Sequence, residues 1–206
     1  MFLTVGSQMP FDRLTEMVAQ WARQRPAVAV TAQIGSSRLA PGALQPMRCA
    51  ATLDASAYSL QCQQAQLMVA HAGMGSILTA MELNLPLLIL PRRGHLHETR
   101  NDHQLHTALY LMRQQAQERA PITVPCAGRF GVEVVLQESD LPARLDRVCQ
   151  ALLAQHAAPQ QGMQRDGESL CSMTPPDQPL KPTESGAARA SLIEHLRTVI
   201  QSAQPD

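Results

Sequence analysis

Two uninterrupted apolar runs, "LMVA" at residues 67–70 and "LLIL" at residues 87–90, constrain this chain more than any other feature. Four apolar residues in succession do not alternate between core and solvent. Each run therefore suits a strand covered on both faces, the habit of central parallel strands. Between them Ile77, Leu78, Met81 and Leu85 form a helical stripe, and Ser76 stands where an N-cap is expected. Parallel neighbours need a crossover of roughly a dozen residues or more, which such a helix supplies. The segment reads as a β-α-β unit.

The same alternation runs through the first three-quarters of the chain. "FLTV" (residues 2–5) reads as a buried strand, and Phe11, Leu14, Val18 and Trp21 fall on one helical face. Pro26 ends that helix; "AVAVTAQI" (27–34) is a second strand, stopped by Gly35. A weaker strand is expected near residues 49–53 and a helical piece over 56–64. After a polar loop (91–101), Leu105, Ala108, Leu109 and Met112 line one side of a further helix. "ITV" (122–124) and "GVEVVL" (131–136) are the last strand candidates, and Asp140 caps a helix carrying Leu141, Leu145, Val148 and Leu152. The pattern predicts an α/β fold, a doubly wound parallel sheet with right-handed crossovers. One domain is expected over residues 1–155. Residues 156–186, rich in Pro, Gln, Ser and Gly, read as a flexible linker. Leu192, Leu196, Val199 and Ile200 then mark an amphipathic helix (187–203), expected to dock back on the domain.

Aromatic residues make up only 3%, so the core must be aliphatic. The balance of 17 basic against 17 acidic residues speaks against a nucleic-acid partner held by a general basic field. The five cysteines are scattered and form no CxxC pair, which points to reduced thiols rather than to zinc or a disulfide framework. The N-terminus lacks a basic n-region, and no window approaches the roughly 18 apolar residues of a membrane span. A soluble, cytoplasmic protein is expected.

Parallel sheets of this kind bind ligands beyond the carboxyl ends of their strands. In "HAGMGS" Gly73 and Gly75 permit close approach to the backbone, and the following helix aims free N–H groups and its positive end there. That is the physics of a diphosphate site; it is equally that of a tight turn facing water. "TVGSQ" adds a second glycine loop with Gly6, Ser7 and Gln8, and "NDHQ" (101–104) places Asp102 and Gln104 at the next helix start, suited to sugar hydroxyls. "PRRGHLHETRNDH" gathers Arg92 and Arg93, a clamp for phosphate or a donor carboxylate, or else a solvated loop. His95, His97 and Glu98 match no familiar metal spacing, so no metal is expected. His71, just after a buried strand, reads as a hydrogen-bonded structural group.

Together, "FLTVGSQMPFDRL", "VAHAGMGSILTAMELNLPLLILPRR" and "NDHQLHTA" resemble the C-terminal, nucleotide-sugar-binding domain of glycosyltransferase family 28. The resemblance is strongest to its small single-domain members, such as the catalytic subunit of the bipartite transferase that extends dolichol-linked N-acetylglucosamine, and bacterial exopolysaccharide subunits. It implies the Rossmann-like C-terminal half of a B-type glycosyltransferase. It further implies that Gly6, Ser7, Gly73, Gly75 and Ser76 hold the donor diphosphate, and that Asp102, His103 and Gln104 contact the transferred sugar. Many family members carry a ribose-binding glutamate seven residues before the proline that here is Pro86; this chain has Thr79 there, with Glu82 one turn on.

By the same resemblance the donor is a UDP-sugar, used as substrate with no cofactor. The acceptor is a lipid-linked sugar of the polyprenyl-diphosphate type, in exopolysaccharide assembly. The acceptor-binding half, with the catalytic base, is expected on a separate membrane-anchored subunit that holds this chain at the inner face of the membrane. The rival expectation is a non-catalytic binding or stabilising partner, favoured by Thr79. A nucleotide-sugar epimerase is a third, disfavoured because it needs both lobes in one chain.

Overall fold

In the computed structural model, residues 1–117 and 131–157 are described. Six strands form one all-parallel sheet: β1 (Phe2–Thr4), β2 (Thr31–Gln33), β3 (Arg48–Ala50), β4 (Met68–His71), β5 (Leu87–Leu90) and β6 (Val132–Val134). Their order is β3-β2-β1-β4-β5-β6, so the direction of winding reverses between β1 and β4. The register sets Leu3 beside Ala32 on one side and beside Val69 on the other. The helices are α1 (Asp12–Arg23), the short α2 (Pro41–Leu44), α3 (Ala55–Gln64), α4 (Met74–Glu82), α5 (His103–Gln117) and α6 (Leu141–Ala157).

Alternation along the strands divides the core in two. Leu3, Val5, Val69, Leu88 and Leu90 pack with Leu14, Val18 and Trp21 of α1 and Leu141, Leu145 and Val148 of α6. Phe2, Met68, Leu87 and Ile89 are buried on the opposite face, where the Phe2 ring meets Tyr58 of α3 edge-on at 5.5 Å. The apolar runs are buried as they require: β5 throughout, and β4 over Met68, Val69 and Ala70, with half-buried His71 at its end. A polar tie joins the first and last described helices: Trp21 Nε1 and Arg25 Nε both donate to Asp146 Oδ1, at 3.0 and 2.5 Å.

Several expectations need correcting. The second strand pairs over three residues only, because residues 27–30 precede the ladder. Ser76 is not an N-cap. Gly73 occupies that position with extended backbone (φ −88°, ψ 139°), leaving Ser76 buried inside the first turn of α4. In α5 the buried positions are Gln104, Ala108 and Leu111, whereas Met112 is exposed. The last described helix starts where expected, at Leu141 directly after Asp140, with a 3-10 turn (Glu138–Asp140) leading into it. The "ITV" strand, the helix at 187–203 and all but the first two residues of the expected linker lie outside the described residues. Met1–Leu153 forms one compact unit. No helix among the described residues is long and apolar enough to cross a membrane.

Candidate functional site

The reversal between β1 and β4 opens a crevice of about 700 Å³ at the carboxyl end of the sheet. That volume lies within the range of small-molecule sites. Its middle is built by the loops after β1 and β4. Gly6 sits at φ +77°, a conformation costly for any residue with a Cβ. The His71 ring lies against both loops. A Cβ at Gly73 would stand 2.1 Å from His71 Nε2, and one at Gly6 would stand 3.0 Å from Cε1. These two glycines are thus explained by the imidazole they accommodate. Gly75 differs: a Cβ there meets nothing within 4 Å, and the residue faces open space at the start of α4. No side chain caps α4, so its first-turn N–H groups are free to meet an anion.

Gly73→Ala is expected to cost about 1–3 kcal/mol by overpacking against the ring. Adding His71→Ala should recover most of that loss, since it removes the colliding group. Thermal unfolding of the two single variants and the double variant measures the coupling.

The His71 ring interacts with the Thr4 backbone, in keeping with a structural histidine, while its Nδ1 is buried without a hydrogen-bond partner. Burial, then the nearby Arg92 charge and His103, lower its pKa from 6.5 to about 4. Between those values the unfolded chain binds more protons than the folded one. Stability contributed by neutral His71 is therefore complete above pH 6.5 and lost as pH falls towards 4, by up to about 3 kcal/mol. Urea unfolding of His71→Gln across this window should show a flatter pH dependence than wild type.

On the β5 side, Arg92 is only 3% exposed and its guanidinium donates to four backbone carbonyls. These are Val5 (2.7 Å), Met9 (2.6 Å), Pro10 (2.6 Å) and Glu98 (3.0 Å). The expected ligand clamp is instead a strut that holds the β1 loop in place. Arg93 turns away from the crevice and donates to the Leu136 carbonyl at 2.5 Å. Glu98, gripped by Arg13 Nε and Nη2 at 2.7 and 2.8 Å, accepts the Arg93 backbone N–H at 2.8 Å and fixes the loop after β5.

Of the residues expected at the site, Gly6, Ser7, Gly73, Gly75, Ser76 and Thr79 line the crevice, joined by Arg92 from the loop after β5 and by His103 and Gln104 from α5. Glu82 is exposed on α4 and does not reach it. Asp102 also lies outside the lining; its carboxylate accepts the Gly94 N–H at 2.8 Å and pins that loop. Gln104 accepts the Arg92 backbone N–H through Oε1 at 3.2 Å. No carboxylate belongs to the described lining. Nor does any group of three metal-type side chains occur among the described residues.

The sequence reading missed the β2–β3 side. Thr4, Gln33, Leu53 and Tyr58 form that wall. Thr4 donates to Gln33 Oε1 at 3.1 Å, and the Tyr58 hydroxyl interacts with Thr4 and Ser76. Isolated residues at the ends of weak strands carry no local signature that would single them out.

Residues 1–124 match the sequence model described as the glycosyltransferase family 28 C-terminal domain. The chain belongs to this family. No curated protein matches it with significance. Among solved structures, the family 28 chain is similar to the calicheamicin glycosyltransferase CalG4, with 16% identity and a TM-score of 0.47 over 74% of this chain and 33% of that one. A kitacinnamycin glycotransferase is similar at 16% identity and TM-score 0.46, over 77% and 35% respectively. A solution structure of ALG13 is similar at 19% identity and TM-score 0.46, over 73% of this chain and 84% of that one. The family 28 chain thus spans about a third of the first two.

Proposed function

We propose that this chain is the donor-binding subunit of a bipartite, inverting glycosyltransferase. It would hold a UDP-sugar for transfer to a polyprenyl-diphosphate-linked sugar in exopolysaccharide assembly. The observation that carries the proposal is the uncapped N-terminus of α4 facing open space at Gly75, at the winding reversal of a family 28 domain. A diphosphate placed there accepts the first-turn N–H groups of α4, with the Gly6–Ser7 loop beside it. The sugar then extends towards His103 and Gln104.

Transfer follows from that placement. A base on the acceptor-binding subunit takes the proton of the acceptor hydroxyl, whose oxygen attacks the anomeric carbon from the face opposite the diphosphate. The bond from that carbon to the diphosphate oxygen breaks, and UDP departs with its charge stabilised by the α4 amides. The partner would be membrane-anchored and would hold this chain at the inner face of the membrane.

The rival reading is a subunit that binds nucleotide sugar without taking part in transfer. Thr79, standing where many relatives have a ribose-binding glutamate, favours it. Calorimetry with UDP tests donor binding, and no heat at millimolar UDP would remove both readings. Sugar transfer measured with and without the acceptor-type subunit separates them: the first requires product only when both chains are present.

A further inference from the structure

The crevice has two unlike ends. Towards β5 stand Arg92, His103 and Gln104; towards β2 and β3 stand Gln33, Leu53, Ala55 and Tyr58, which include no charged group. Gln33 is the most buried polar group of the second set, at 5% exposure. Its Oε1 is committed to the Thr4 hydroxyl. Thr4 Oγ1 in turn accepts the Gly6 N–H at 3.4 Å. That leaves the two amide protons on Gln33 Nε2 without a partner among the described residues, on the wall of an open crevice. Nε2 is not an orphan of the core but opens onto the crevice, where a ligand oxygen can meet it.

We infer that Gln33 reads the nucleoside of the donor, its side-chain amide donating to a carbonyl or hydroxyl oxygen of the base or ribose. The inference rests on the donor-site reading above and deepens it. A diphosphate at the winding reversal divides the ligand into a flat, weakly polar ring system on one side and a hydroxyl-rich sugar on the other. Only the β2–β3 side offers apolar and aromatic surface, from Leu53, Ala55 and Tyr58. Gln33 presents two amide donors there, which suit oxygen acceptors such as those of a uracil ring or a ribose. Tyr58, Thr4 and Ser76 tie this wall to the first turn of α4, so the nucleoside and diphosphate positions share one polar floor.

Gln33→Glu is the sharpest test, because it keeps the size of the side chain and the acceptor for Thr4 while replacing the two donors with an acceptor. Binding of UDP and of inorganic pyrophosphate is measured by calorimetry at pH 8, with thermal unfolding as a check on folding. The expected result is a roughly ten- to hundredfold loss of UDP affinity with pyrophosphate affinity unchanged. As the pH is lowered towards 5, the introduced carboxyl takes up a proton and can donate again. UDP affinity should then recover relative to wild type at the same pH, which a merely structural role for Gln33 would not produce. Gln33→Met, uncharged and without donors, should lose UDP to a similar extent at every pH and serves if the first variant folds poorly. UDP bound equally by wild type and Gln33→Glu would overturn this inference alone. Equal loss of UDP and pyrophosphate would place Gln33 at the phosphates and also overturn it. Wild type that binds pyrophosphate but not UDP would overturn the donor-site reading as well.

Discussion

Gly75→Val is expected to abolish UDP binding while leaving the fold at least as stable as wild type. A Cβ at this position meets no heavy atom within 4 Å, so the free protein has open space where the side chain begins. Glycine inside a helix costs roughly 0.5–1 kcal/mol relative to alanine, and valine is a better helix residue than glycine, so α4 should not suffer. The room the side chain takes is the room a diphosphate needs to reach the first-turn N–H groups. Affinity should fall by at least about a hundredfold, a loss of ~3 kcal/mol or more. Calorimetry with UDP and a melting curve on the same sample decide the matter. Normal binding by a well-folded Gly75→Val would move the phosphate position elsewhere in the crevice.

Arg92→Ala should do the opposite, unfolding the domain before any question of ligand arises. Four carbonyls, three of them in the loop after β1, lose their donor in a place where exposure is 3%. A buried acceptor stripped of its partner costs about 1–3 kcal/mol, and even partial relaxation leaves a total on the order of 3–5 kcal/mol. That is a large share of a typical domain's stability. Arg92→Lys should recover little, because a single ammonium does not span four carbonyls as a planar guanidinium does. Denaturant unfolding measures both variants. Had Arg92 been a ligand clamp, the lysine variant would keep its stability and lose only nucleotide affinity.

The contrast between these two positions shows what the sequence can and cannot carry. That Gly75 stands in the crevice was legible because the signal is local: a glycine between a buried strand and a helix start marks the loop at the carboxyl end of the sheet. The strands at 67–70 and 87–90 were legible for a similar reason, since a continuous apolar run has one comfortable place in an α/β sheet. Arg92 was misread because it stands in a run of charges, and its partners Val5, Met9 and Pro10 are more than eighty residues away. Ser76 was misplaced because residue preference favours serine at an N-cap, whereas the His71 ring at Gly73 and the extended backbone there start the helix earlier. Gln33 and Tyr58 were invisible for want of any motif. Only the register of β2 against β1 brings Gln33 level with Thr4, and only the packing of α3 brings Tyr58 to the same wall.

The described lining of the crevice offers amides, hydroxyls, an arginine already spent on the backbone, His103 at the β5 end, and His71, whose pKa near 4 makes it a poor base at neutral pH. A sugar nucleotide resting there would meet no carboxylate able to recruit water against its anomeric carbon, which would keep wasteful hydrolysis slow while the chain waits. If the base comes with the acceptor-binding subunit, as proposed above, encounter between two chains, rather than occupancy of one, would be the event that releases the sugar.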